Sequence, residues 1–121
     1  MKFIIDLIED IRTEIDNDGE YAITAMLLKE DSNDNQKLLY AGETPIASFD
    51  IEHNSKKLLF GIENKESLLL VDELVKHLLI LGMETMMYPL YIFVNEQYPS
   101  VEVIGFGKSI EERKYILFIK I

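Results

Sequence analysis

Residues 114–121, the segment KYILFIKI, are apolar on both faces after the leading Lys114, apart from Lys120. A strand of that kind belongs in the middle of a sheet, because only a strand flanked by others and covered above and below can bury both of its faces. The fold must therefore supply this segment with partner strands on either side.

Several segments qualify. Residues 20–29 alternate, with Tyr21, Ile23, Ala25 and Leu27 on one face. Residues 37–41 form a short strand ending at Gly42. Residues 46–52 and 57–62 make a hairpin around His53-Asn54-Ser55-Lys56. Residues 90–95 form a strand, 97–100 a turn, and 101–107 pair with the last segment in a second hairpin. The run 30–36, EDSNDNQ, has no apolar residue and reads as a loop.

Two segments carry the helical period instead. In residues 2–17, Ile4, Leu7, Ile8, Ile11 and Ile15 recur at spacings of three and four, with Asp6, Glu9, Asp10, Thr13 and Asp16 opposite. Asn17-Asp18-Gly19 supplies a stop. Residues 68–81 form the second helix, capped by Ser67 or Asp72, with Val71, Leu74, Leu78 and Leu81 as its core stripe. Gly82 ends it, or the helix runs on towards Tyr88 until Pro89 stops it. Leu79, Ile80, Met83, Met86 and Met87 then fall on other faces, more apolar surface than one sheet face covers. The expected class is α+β, a mainly antiparallel sheet with two helices in the order αββββαβββ, forming one domain over residues 1–121. No internal repeat, linker or low-complexity tract is evident. The element order and the acidity are loosely similar to those of small secretion chaperones, which alternate helices with antiparallel strands and often dimerise; this chain differs in ending on a strand.

Charge narrows the function. The net charge is −10. The first 34 residues hold ten Asp/Glu against three Lys/Arg, −7, and the other 87 hold twelve against nine, −3. There is no basic stripe for nucleic acid. The absence of cysteine removes disulfides and thiolate chemistry. The N-terminus turns charged too early for a signal peptide, and no apolar run nears the ~20 residues of a membrane span. A cytoplasmic protein is expected.

No motif nominates a catalytic residue, a metal site or a cofactor. Glu14, Asp16, Asp18 and Gly19 resemble the start of a calcium loop, but its twelfth position is Ala25 where a bidentate Glu is required. Gly107-Lys108-Ser109 resembles the tail of a phosphate loop, but Glu102 stands where that motif needs glycine. Glu73 and His77 share a helix face and read as a solvent-side pair without a third metal ligand.

Two surfaces suggest binding. The first is the acidic face of the first helix, with Asp6, Glu9, Asp10 and Asp16 as contacts for a basic protein partner. Its acids crowd the helix C-terminus, where the backbone dipole disfavours them by roughly 0.3–1 kcal/mol each at low salt; Arg12 offsets part of this through Glu9 and Asp16. The second is the methionine cluster, with Met83, Met86 and Met87 as candidate homodimer contacts. The expected function is a non-enzymatic interaction protein of chaperone, inhibitor or immunity type. The alternative is a small-ligand binder or acid–base enzyme with carboxylates in a pocket between helix and sheet.

Overall fold

The structure, a computed structural model, describes residues 1–15, 20–62 and 68–121. Its elements run α1 (Ile4–Glu14), β1 (Ala22–Asp31), β2 (Asp34–Pro45), β3 (Ser48–Glu52), β4 (Lys57–Gly61), α2 (Val71–Leu78), α3 (Met83–Met86), β5 (Leu90–Phe93), β6 (Val101–Ser109) and β7 (Lys114–Lys120). The expected order holds, with one addition. The second helix is shorter than its apolar pattern. It closes on Leu79, and Gly82, in an extended conformation, starts the short α3. The run 30–36 is not a long loop: Ser32 and Asn33 form a tight turn, and β2 begins at Asp34. The helix stop at 17–19, the calcium-like loop and the Ser67 cap lie outside the described residues. Asp72 does not cap α2, because Leu70 occupies the N-cap position.

One seven-stranded sheet has the order β2-β1-β7-β6-β5-β4-β3. The doubly apolar β7 is an interior strand, as its sequence requires. Four of the six ladders are antiparallel; β1 with β7 and β4 with β5 are parallel. Tyr115, Leu117 and Ile119 face the helices, as do Ile23 and Ala25, Leu58 and Phe60, and Leu90 and Ile92. All are fully buried, with Ile4, Leu7, Leu74 and Leu78 from the helices against them.

The two edge strands, β2 and β3, are consecutive in the chain and joined by only Ile46 and Ala47. In a flat sheet, six spacings of ~4.8 Å would part them by about 29 Å, yet three Cα steps reach about 11 Å at most. The sheet is therefore drawn round until the end of β2 lies within about 11 Å of the start of β3. Even the link is hydrogen-bonded: the Ile46 N–H donates to Ile23 O on β1, and the Ala47 N–H donates to Gly61 O on β4.

The ladders also reveal a structural repeat that the sequence conceals. The Ile4 N–H donates to Tyr88 O and the Leu90 N–H to Lys2 O; likewise the Val71 N–H donates to Tyr21 O and the Ile23 N–H to Leu69 O. Each helix N-cap, Phe3 or Leu70, thus bridges the strand start that follows the other helix, at Pro89 or Ala22. In both places the equivalent residues are 67 apart (4 and 71, 23 and 90). The later strands repeat at an interval of 57: Ser48↔Gly61 matches Gly105↔Phe118, and Glu52↔Lys57 matches Ser109↔Lys114. The parallel ladders agree, since Leu58↔Leu90 matches Tyr115↔Ile23. The chain is two αβββ units related by an internal two-fold, in which β2 and β3 together correspond to β6. The first unit carries ten additional residues (67 less 57) in its β1–β2 hairpin.

Candidate functional site

The acidic side of α1 borders a shallow groove of about 290 Å³ lined by Lys2, Asp6, Glu9, Asp10, Thr13 and Phe106. Residues 6, 9, 10 and 13 share one face of a helix, and β6 supplies the floor. Three of the four carboxylates singled out by sequence are thus brought together. The fourth, Asp16, lies outside the described residues.

The three are not equivalent. Asp6 Oδ2 accepts the backbone N–H of Phe3 at 2.9 Å, satisfying one of the unpaired donors at the start of α1. Asp10 Oδ2 accepts the Tyr115 hydroxyl at 2.7 Å. That phenol is held protonated well above its ordinary range, first by burial and then by the Asp10 carboxylate beside it. Glu9 is exposed and, among the described residues, its carboxylate has no partner. The groove's one cation, the Lys2 ammonium, lies 5.7 Å from the centre of the Phe106 ring, which stacks on Tyr115.

The acid crowded at the C-terminal end of α1 has a counter-charge that local spacing does not reveal. Lys108 of β6 donates to the Glu14 backbone carbonyl at 2.9 Å and pairs with its carboxylate at 2.7 Å. A cation is thereby placed on the negative end of the helix dipole. The hydrogen bond to Glu14 raises the Lys108 pKa. Arg12, expected to offset these acids, makes no ion pair among the described residues. The sequence signal at Lys108 was its phosphate-loop-like context, which proves to be plain strand.

At the far end of α2, Ile80 and Met83 are almost fully exposed, at 81% and 85%, with Leu79 and Met87 beside them about half exposed. Met86 instead packs against the core. His77 stands against Phe49 rather than in a pair with Glu73, and His53 Nδ1 lies 3.2 Å from the Tyr88 hydroxyl. Among the described residues no group of three or more His, Cys, Asp or Glu could hold a metal ion, and no helix is long and apolar enough to cross a membrane.

Comparison with protein-family models, curated proteins and solved structures finds no match to this chain. The site must be read from its own chemistry. Its arrangement of carboxylates along an aromatic floor suits a cation, above all a guanidinium, which can stack on a ring and bond carboxylates edge-on.

Proposed function

We propose that this is a non-enzymatic, cytoplasmic interaction protein that presents the acidic edge of α1 to a basic protein partner, as a chaperone, inhibitor or immunity factor would. One observation carries the reading: Asp6, Glu9 and Asp10 line an open groove against a single cation, Lys2, whose ammonium already rests over Phe106. An arginine of the partner would take that place, with Glu9 as its principal new contact. The pocketed-carboxylate alternative is less favoured, because Asp6 and Asp10 are engaged by the protein's own donors in a groove open to solvent.

Neutralising all four acids together would confound binding with stability, since Asp6 and Asp10 support the fold. Glu9→Gln isolates recognition. With an arginine-rich peptide as probe, the variant should bind about two- to fivefold more weakly, the range of one exposed ion pair. Binding by the unaltered protein should weaken steeply between about 50 and 500 mM salt. Affinity that ignores salt would refute the proposal.

The exposure of Ile80, Met83 and Met87 favours a second, compatible role, self-association through this apolar tip. Met86, turned to the core, leaves the contact set and Ile80 joins it.

A further inference from the structure

The internal two-fold allows each surface of one unit to be compared with its counterpart, and one comparison exposes a vacancy. On the sheet face away from the helices, Phe118 of β7 lays its ring across the neighbouring β6. A Cβ built on Gly107 would come within 2.8 Å of that ring, and one built on Gly105 within 3.7 Å. The two glycines leave the room that the ring fills.

In the other unit the pattern is inverted. The counterpart of Phe118 is Gly61 on β4, and the counterparts of Gly105 and Gly107 are Ser48 and Asp50 on β3. The counterpart of Met26, the parallel neighbour, is Phe93. No side chain projects from Gly61, and a depression of about 270 Å³ remains, bordered by Ser48, Asp50, Leu59, Gly61 and Phe93. A cavity of about 150 Å³ suffices for a benzene ring, so there is room for one ring with a short substituent. Because Asp50 has a Cβ where Gly107 has none, a ring placed here would lie towards Gly61 and Phe93, with the Asp50 carboxylate at the rim. Asp50 is exposed and makes no ion pair among the described residues.

We propose that this depression is a binding site for a small arylalkylamine, a single aromatic ring carrying an ammonium on a short alkyl chain. The ring would occupy the space that Phe118 fills in the other unit, stacking near Phe93 on the bare backbone of Gly61, and the ammonium would meet Asp50. The site lies on the opposite sheet face from the α1 groove and is independent of the function proposed above.

Titration of the isotope-labelled full chain with 2-phenylethylamine tests it. Saturable amide shifts are expected at residues 48–50, 59–61 and 93, and not along α1. Phenylacetate, with the same ring and opposite charge, and hexylamine, a cation without a ring, should each bind more weakly. Gly61→Phe supplies the ring that the other unit carries. The nearest obstacle to its Cβ is the rotatable Ser48 hydroxyl, at 2.6 Å, so this variant should stay folded and lose the shifts. Should it unfold, Asp50→Asn decides the matter: it should weaken the amine about threefold, as for one exposed charge pair, and leave phenylacetate no weaker. No saturable shift up to about 10 mM, equal binding of hexylamine, or full binding by a folded Gly61→Phe would each overturn the proposal.

Discussion

Tyr115 shows how much one residue joins in this molecule. Its ring lies in the core on an interior strand, its hydroxyl reaches Asp10 on α1, and Phe106 stacks on it. Removing the hydroxyl by Tyr115→Phe, or its acceptor by Asp10→Ala, should each cost about 1 kcal/mol of stability, with a double mutant close to the larger single effect rather than the sum. Linkage gives a second readout. The folded-state pKa of this tyrosine is raised, so the folded protein keeps a proton that the unfolded chain releases. The associated stability is intact below about pH 10 and falls as the pH rises beyond it, at up to about 1.4 kcal/mol per unit. Urea unfolding between about pH 9 and 11 should show a steeper loss for the unaltered protein than for Tyr115→Phe. Equal slopes would mean that the phenol ionises alike in both states. None of this was readable beforehand, since Asp10 and Tyr115 are 105 residues apart.

At the scale of elements, the helices and strands follow from local pattern because burial follows it: Ile4, Leu7, Ile8 and Ile11 are buried as their spacing requires, and so are Val71, Leu74 and Leu78. What local pattern missed was set by distant partners. β2 extends from Asp34 through polar residues because β1 is there to pair with it. The apolar run after Leu78 leaves the helix and exposes Ile80 and Met83. The two β-hairpins that close each unit offer a matched experiment. Lys56 and Arg113 occupy the same turn position and both hold positive φ, 53° and 52°. A non-glycine residue pays about 1–2 kcal/mol there, and glycine recovers it less about 0.5–1 kcal/mol of added chain entropy. Lys56→Gly and Arg113→Gly should therefore each raise stability by about 0.5 kcal/mol and add independently. A loss at either position, read from urea midpoints, would show that the side chain does more than tolerate the turn.

For the whole molecule, the repeat went unseen because the ten added residues in the first β-hairpin change its interval from 67 to 57, so that no constant period exists. Few identities survive between the units: Leu7 with Leu74, Tyr21 with Tyr88, Phe49 with Phe106, Lys57 with Lys114 and Ile62 with Ile119. Elsewhere burial is kept while the residue changes, as between Ile23 and Leu90. The candidate site was half legible. Asp6, Glu9 and Asp10 follow from helical spacing, but Phe106 and Lys108 arrive from the far end of the chain. The apolar tip bears on assembly. If it joins two copies, sedimentation at micromolar concentration should give a dimer, and Ile80→Asp with Met83→Asp should give a monomer of unchanged fold. A monomer before substitution would remove that role.

The parallel ladder between β1 and β7 has a consequence for biosynthesis. Ile23 pairs with Tyr115, 92 residues later. At roughly 5–20 residues per second, some 5–20 seconds separate the synthesis of the two. Through that interval the nascent first strand offers an open, apolar edge of the kind that recruits other chains, so the charge of −7 in the first 34 residues stands where a growing chain most needs to repel its neighbours.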